Sequence, residues 1–507
     1  MASPVRLKLL ALALTTITAM NCRADVSLIA FGSISGTYED VADATAGALE
    51  NGVAGNRLGG IGSGLAYAGG DTFLALPDRG PNASPYASAV DDTASYINRF
   101  QTLRLSLAPN PNFASPSSPP SFNPNTSLPF VLTPTLRRTT LLWSPTPLVY
   151  GTGVGLQKND GTPLGSGQPQ LNTPFINYFT GRSDGFDPSQ RSSNPNNARL
   201  DPEGIRASSD GMSVFISDEY GPYVYQFSRV KGHRIRTFTL PSNLAVSLLS
   251  PVGQTEIDHN TVGRVANKGM EGLAITPDGR TLVGIMQANL EQDATGSLRI
   301  VTIDIQSGMT NEYAYQLTDG TGVSEIVAVN SHQFLTDERD GKGMGDKPGL
   351  TDTASAASVK KLYLIDLNGA TEITNVMKLD LGNASNTVVP VTKTPFLDIV
   401  AKLTAAGIDA HLIPSKLEGV TFGQDVTMTV NGQPVTKHTL YVANDNDFLT
   451  QVADPLAKAC ANVNSCSRAM VPYPNQWYVF AFDDSDLPGY VPQQITPQES
   501  LECGLVN

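Results

Sequence analysis

The segment GMEGLAITPDGRTLVGIMQAN (residues 269–289) decides the fold, because its pattern recurs along the chain. A Glu is followed by Gly, a short apolar strand, a turn, a second strand and a polar cluster. The same order occurs in DPEGIRASSDGMSVFISDEYG (201–221), VSEIVAVNSHQFLTDERDG (323–341) and KLEGVTFGQD…HTLYVANDND (416–447). A fifth copy, GSGLAYAGGDTFLALPDRG (62–80), keeps the pattern with Gly64 in the place of Glu. Repeats of this kind bury the apolar face of each unit against the next one.

Each hairpin is followed by two more alternating strands, for example at 298–303 and 312–317 after the opening segment. A four-stranded antiparallel unit repeated around a ring is a β-propeller blade. We therefore predict an all-β fold, a propeller of four-stranded antiparallel blades. Five units are clear, and the strand at 26–36 and the stretch 145–200 leave room for one or two more. The prediction is about six blades, within a range of five to seven. Unrelated hairpins of a sandwich are the alternative, which the recurring Glu-Gly disfavours.

The N-terminus is predicted to be a secretory signal. Within residues 1–24, the basic residues Arg6 and Lys8 lie at the start of an apolar run over 7–19, and the segment ends at the small residue Ala24. A lipid-attached Cys22 is the alternative. The remaining 25–507 form one predicted propeller domain with loops at about 108–130, 151–200, 341–357 and 450–475, and an amphipathic helix at 397–412. The run at 7–19 is too short for a stable transmembrane helix, so we predict a periplasmic or secreted monomer without a transmembrane anchor.

The net charge limits which classes of partner the chain can bind, and the cysteines indicate which disulfides it can form. The formal net charge of −13 becomes −16 without residues 1–24, which hold three basic and no acidic residues. Such an acidic chain is unsuited to nucleic acid but compatible with divalent cations. A disulfide between Cys460 and Cys466 is plausible in an oxidising compartment. Pairing of either with Cys503 stays open.

Candidate site residues come from the ends of the repeated hairpins. Each Glu precedes its first strand and each polar cluster follows the second, so both lie at the same end of the unit. A ring would gather them at one channel mouth. The predicted metal ligands are Glu203, Asp218, Glu271, Glu325, Asp337, Glu418 and Asp445. The predicted catalytic group is Glu203, Glu271, Glu325, Glu418, Asp78, Arg79 and Arg339, in which the two arginines would hold an anion.

So many carboxylates need counter-charge or raised pKa values. Calcium is the expected cofactor because it takes six to eight oxygen ligands in flexible geometry. The alternative is that each Glu is structural and accepts backbone N–H groups of the next blade. Other chemistries find no support: the sequence has no G-x-S-x-G elbow, no P-loop and no zinc-ligand spacing of its five His.

The motifs LPDRGPN (76–82), DPEGI (201–205), SDEYGP (217–222), KGMEGLAITPDG (268–279) and KLEGV (416–420) resemble the phytase-like proteins described as "esterase-like activity of phytase". The resemblance spans roughly 55–485 and implies a propeller with phosphoesterase or esterase activity. The calcium ligands of the well-characterised propeller phytases cannot be carried over residue by residue.

The sequence thus predicts a metal-dependent hydrolase of phosphate or carboxylic esters that takes a small anionic or ester substrate at an acidic channel mouth. Two alternatives stay open. One is a non-catalytic propeller with structural calcium that binds a ligand or partner, and the other is a lactonase-type propeller.

Overall fold

The computed structural model describes residues 26–83, 93–114, 122–158, 161–190, 192–430 and 432–496. The predicted signal at 1–24 and Cys503 lie outside these residues. In chain order the strands are β1 (Ser27–Ile34), β2 (Gly64–Tyr67), β3 (Thr72–Leu76), β4 (Arg99–Pro109), β5 (Phe130–Leu141), β6 (Trp143–Ser144), β7 (Asn177–Tyr178), β8 (Pro202–Ala207), β9 (Ser213–Asp218), β10 (Tyr223–Ser228), β11 (Arg234–Thr239), β12 (Met270–Ile275), β13 (Thr281–Met286), β14 (Ser297–Asp304), β15 (Thr310–Gln316), β16 (Gly322–Ala328), β17 (Gln333–Arg339), β18 (Lys360–Asp366), β19 (Thr392–Asp398), β20 (Leu417–Phe422), β21 (Val426–Val430), β22 (Gln433–Asn444), β23 (Gln451–Ala453), β24 (Met470–Pro472) and β25 (Asn475–Phe482).

These strands form five antiparallel four-stranded blades. Blade 1 is β2–β5, blade 2 is β8–β11, blade 3 is β12–β15 and blade 4 is β16–β19. Blade 5 combines β20, β22 and β25 with β1, which pairs antiparallel to β25 at the outer edge. The innermost strands β2, β8, β12, β16 and β20 contact one another in sequence, and β20 contacts β2. The chain therefore closes as a ring, and the predicted all-β propeller is confirmed.

The blade number is five, at the lower end of the predicted range, and not six. The strand at 26–36 starts no blade of its own. It completes blade 5 and so joins the two ends of the domain. The stretch 145–200 adds only β7, which pairs with β6 in a two-residue ribbon. Its many Gly, Asn and Ser residues provide no alternating apolar run that could build a blade.

The apolar core is divided into five seams between neighbouring blades. Successive side chains of a strand point to opposite faces, so each blade contributes to two seams. In β9, Val214 and Ile216 pack toward blade 1, whereas Phe215 packs toward blade 3. Equivalent apolar clusters fill the other three seams. This two-sided burial explains why the strands are apolar at almost every position.

The Gly of the repeated Glu-Gly pair has a packing reason. A Cβ added at Gly64, Gly204 or Gly272 would lie 2.4–2.7 Å from an atom of the next blade's inner strand, and one at Gly419 would lie 2.8 Å from the carbonyl oxygen of Gly62, just before β2. Real Cβ atoms essentially never come that close, so only Gly lets the inner strands approach one another. In β16 this position is occupied by Glu325 instead of Gly.

Outside the blades the described chain is short helices and loops. The helices are α1 (Gly253–His259) and α2 (Ile399–Ala405), with single 3-10 turns at Asp43–Thr45, Ser242–Leu244, Ala410–Leu412 and Val463–Ser465. The predicted helix at 397–412 is thus present over its first half, where the Asp398 side chain accepts the N–H of Ala401. Cys460 and Cys466 are disulfide-bonded. No helix among the described residues is long and apolar enough to cross a membrane.

Candidate functional site

A cavity of about 140 Å³ lies where the inner strands begin. We call it the acidic basin. It is lined by Asp78, Arg79, Gly80, Asn82, Glu203, Glu219, Asn267, Glu271, Gln287, Arg339, Lys416, Glu418, Asp445 and Asp447. Seven of these residues are acidic and three are basic, and none has an apolar side chain. The formal charge of the lining is −4 if every group is ionised.

Local breaks in the strand ladders turn the glutamates into the basin. The pairing of β12 with β13 skips Glu271, between Met270 and Gly272, and the pairing of β20 with β22 skips Glu418. In β8 the break covers Glu203. A residue that is skipped in this way leaves the ladder and its side chain is re-aimed. The repeat therefore predicted Glu203, Glu271 and Glu418 at the channel mouth, and the structure places all three there.

Glu325 is not in the basin, which corrects the sequence-based placement. The break in β16 skips Ser324 instead, so Glu325 occupies the position that is Gly272 in blade 3. Its side chain is 1 % exposed, and Oε1 accepts the backbone N–H groups of Leu273 (3.0 Å) and Ile326 (2.9 Å). Burial raises the pKa of Glu325 to about 7, against the opposing charge of Arg206.

Arg206 and Glu325 form a buried ion pair inside the ring of inner strands, with 3.1 Å between Nη2 and Oε2. Arg206 also donates to the carbonyl oxygens of Leu65 and Ile205 (2.7 Å each), Ile326 (2.9 Å) and Val420 (3.3 Å). These carbonyls belong to β2, β8, β16 and β20. The pair therefore ties the inner strands together, which is a structural role.

Asp218 and Asp337, which the sequence predicted as metal ligands, also lie outside the basin lining. Asp218 accepts the N–H groups of Asp201 (3.2 Å) and Tyr220 (3.0 Å) and so shapes the turn after β9. Asp337 is 1 % exposed and its carboxyl oxygens accept no hydrogen bond from a described residue. Burial raises its pKa to about 8, although Arg339 and Lys360 oppose the shift. A protonated carboxyl explains how Asp337 is tolerated there.

Two groups of three carboxylates have the spacing of metal ligands. One oxygen each of Asp78, Asp445 and Asp447 lie within 4.8 Å of one another. We call these residues the aspartate triad. One oxygen each of Asp201, Glu203 and Glu219 meet the same limit and form the glutamate triad. Asp201, Glu219 and Asp447 stood in the quoted motifs, but sequence reasoning had not selected them as ligands.

Arginines enter the basin from the two blades that lack the inner-strand Glu. Blade 4 has Ser324 at that position, and its Oγ accepts a hydrogen bond from Arg339 Nε. Arg339 also donates to Glu418 and lies 3.8 Å from Glu271. Blade 1 has Ser63 there, one residue before the Gly64 that the sequence pattern suggested. The small side chain of serine leaves room for a guanidinium at the channel mouth.

Arg79 is the blade 1 counterpart. Its backbone N–H and Nη1 both donate to the carboxylate of Asp201, at 3.0 and 3.1 Å, and Nη1 also donates to Asn267. Asp201 is therefore neutralised within the protein, whereas Glu203 is not. Glu203 is 9 % exposed and forms no hydrogen bond or ion pair with a described residue.

Burial and mutual repulsion control ionisation in the basin. Burial, followed by neighbouring carboxylates, holds the pKa values of Asp78, Glu203 and Glu219 well above their usual range. Burial and the charge of Glu418 raise the pKa of Glu271 to about 8, against the pull of Arg339. Gln287 donates to Glu271 Oε1 (2.8 Å), and the carboxyl groups of Glu271 and Glu219 are in hydrogen-bond contact with each other. The cluster therefore needs protons or added cations to be stable.

Backbone strain is concentrated at the same place. Among the described non-glycine residues, positive φ occurs at Asn267 (56°), Asp447 (50°) and Phe448 (57°). Asn267 and Asp447 line the basin, and Phe448 follows directly. Residues held in such conformations cluster at ligand-binding sites, where the surrounding structure enforces them.

Comparisons with known proteins give a family. The sequence model of a family described as "Phytase-like: Esterase-like activity of phytase" matches residues 56–448. An uncharacterized secreted protein of Arthroderma benhamiae is 31% identical over 298 residues, which cover 52% of this chain and 52% of that protein. The chain thus spans about half the length of this curated relative.

Two solved structures align with most of the chain at low similarity. A putative 6-phosphogluconolactonase from Bacteroides uniformis has a TM-score of 0.28 and 13% identity, covering 89% of this chain and 98% of that one. A periplasmic gluconolactonase from Pseudomonas aeruginosa has a TM-score of 0.31 and 10% identity, covering 90% and 100%.

Proposed function

The chain belongs to the phytase-like family described as esterase-like activity of phytase, and from its acidic basin we propose that it hydrolyses phosphate esters of small polar molecules with bound divalent cations. One observation carries this proposal. Seven carboxyl groups and three cationic side chains surround a cavity of about 140 Å³ that has no apolar lining residue. Pockets for apolar ligands are lined mostly by hydrophobic side chains. This basin therefore favours a hydrophilic phosphate ester over a carboxylic ester with an apolar acyl chain.

The residues fit a hard divalent cation. Both triads offer carboxylate oxygens within 4.8 Å of one another. Glu203 has no hydrogen-bond or ion-pair partner among the described residues, so a nearly buried acceptor in the basin is available to a ligand. Calcium binds such all-oxygen sites in flexible geometry. We assign cation binding to Asp78, Asp445 and Asp447 and to Asp201, Glu203 and Glu219.

Hydrolysis of a phosphate monoester forms a bond from water oxygen to phosphorus and breaks the bond from phosphorus to the alcohol oxygen, which leaves with a proton. Bound calcium would neutralise phosphate charge and lower the pKa of a water molecule. Arg339 and Arg79 would hold phosphate oxygens through their guanidinium groups. Glu271, whose carboxyl is in hydrogen-bond contact with that of Glu219, would transfer a proton at Oε2. Glu418 would orient Arg339 through their ion pair.

The cellular location is part of the proposal. The disulfide between Cys460 and Cys466 supports an oxidising compartment. We propose that the protein acts in the periplasm or outside the cell.

The test uses the chain stripped with chelator and assayed on a phosphate monoester, a carboxylic ester and a lactone, with and without calcium. We expect calcium-dependent release of phosphate. Glu203→Gln should lose it, whereas Glu372→Gln, a matched change at an exposed site, should keep it. Turnover of the lactone alone, or of the carboxylic ester alone, would show that the substrate belongs to that class and not to the phosphate esters. No turnover of any ester, with a calcium-induced rise in melting temperature, would instead identify a binding propeller.

A further inference from the structure

Lys416 occupies the aspartate triad as an internal cation. Its Nζ donates to Asp445 Oδ2 at 2.9 Å and to Asp447 Oδ1 at 2.6 Å. Both contacts are within the range of a charged hydrogen bond, so the ammonium lies between two carboxylates of the triad. The ammonium therefore occupies the place where a divalent cation would bind.

No lysine or arginine among the described residues bridges two carboxylates of the glutamate triad. Arg79 pairs with Asp201, two residues before Glu203. Glu219 accepts the backbone N–H of Gly269 at 2.9 Å, and its carboxyl is in hydrogen-bond contact with that of Glu271. Glu203 is nine-tenths buried, lines the basin and has no partner among the described residues. Glu203 and Glu219 thus form no ion pair with a described residue, whereas Lys416 contacts two of the three carboxylates in the aspartate triad.

We propose that the basin binds two divalent cations with unequal affinity, first at the glutamate triad and then at the aspartate triad, where Lys416 competes with the second ion. A cation entering the aspartate triad must displace the ammonium from two carboxylates or remain beside its positive charge. Both alternatives cost binding free energy, because like charges a few ångströms apart repel strongly in a partly buried site. Lys416 thereby sets the cation concentration at which the second subsite fills. This inference rests on the cation dependence of the proposed function.

Calorimetric titration of calcium into the chelator-stripped chain tests the inference. Wild type should show one tight and one weaker site. Lys416→Met removes the ammonium while keeping a long side chain, and the weaker site should tighten about tenfold or more. Lys378→Met is the matched control, because Lys378 is exposed and does not line the basin; its titration should equal that of wild type.

Two further variants identify the subsites and guard against misfolding. Asp447→Asn should abolish the weaker site alone, and Asn tolerates the positive φ at this position. Glu203→Gln should weaken the tight site. Each variant must retain the circular dichroism spectrum of wild type. An unchanged weaker site in folded Lys416→Met, two equal sites in wild type, or no calcium binding would each overturn the inference.

The outcomes separate this inference from the proposed function. Calcium-dependent hydrolysis with an unaltered titration of Lys416→Met would refute only the competition. Two unequal sites that respond to Lys416→Met, in a protein without esterase activity, would refute only the hydrolysis.

Discussion

Replacing Arg206 with Met should destabilise the propeller more than removal of a surface arginine. Arg206 is 3 % exposed and Glu325 is 1 % exposed. The substitution removes their 3.1 Å ion pair and the donors to four inner-strand carbonyl groups. Breaking a buried pair by removing one partner leaves an uncompensated charge and costs about 3–5 kcal/mol. We expect a loss of this size in the free energy of unfolding.

Urea unfolding at pH 7, followed by circular dichroism, measures this loss. The double variant Arg206→Met/Glu325→Gln removes the stranded charge and should recover about 1–3 kcal/mol relative to Arg206→Met alone. Arg104→Met removes an ion pair with Asp71 that is largely exposed, so it should cost only about 0–1 kcal/mol. The reasoning is refuted if Arg206→Met costs no more than Arg104→Met and the double variant recovers nothing.

Two further predictions concern stability. Burial lowers the pKa of His438, but Asp425 (2.8 Å) and Asp484 (3.1 Å) outweigh it and raise the pKa above 6.5. Their contribution is full below pH 6.5 and is lost as pH rises through the raised folded-state pKa. His438→Gln should therefore lower the urea midpoint more at pH 5.5 than at pH 9, where only the contacts of the neutral ring with Phe482 and Tyr490 are lost. A Cβ at Gly272 would lie 2.7 Å from a backbone nitrogen of β16, so Gly272→Ala should lower the melting temperature. Gly47→Ala is the control, because a Cβ at Gly47 would meet open space, and it should not lower the melting temperature. Equal melting temperatures of the two variants would contradict the close packing of the inner strands.

The fold was predictable because the repeat shows both where each strand and turn lies and which strand faces the neighbouring unit. The Pro277-Asp278-Gly279 turn ends one strand and starts the next, and the Glu-Gly pair marks the inner strand. Blade number was less accessible. The sequence does not show that the strand at 26–36 pairs with β25, because that contact joins opposite ends of the chain.

The site was predictable where Glu stood beside Gly. Glu271 and Glu418 follow this rule and line the basin. Glu325 has no Gly after it, and that absence was the available sign that the ladder break falls one residue earlier, at Ser324. The role of Asp201 depends on Arg79 from a different blade. Contacts between residues 122 positions apart leave no trace in local spacing.

The proposed role of Glu271 is tested most directly by one comparison of initial rates. Phosphate release from a monoester is measured at saturating calcium for wild type, Glu271→Gln and the exposed-site control Glu372→Gln, with melting temperatures recorded in parallel. Gln keeps the shape of Glu271 but cannot transfer the proton at Oε2. The account predicts that Glu271→Gln loses at least about two orders of magnitude in rate, as removal of a proton-transfer group usually does, while the control keeps the wild-type rate. A folded Glu271→Gln protein with the wild-type rate would contradict the account.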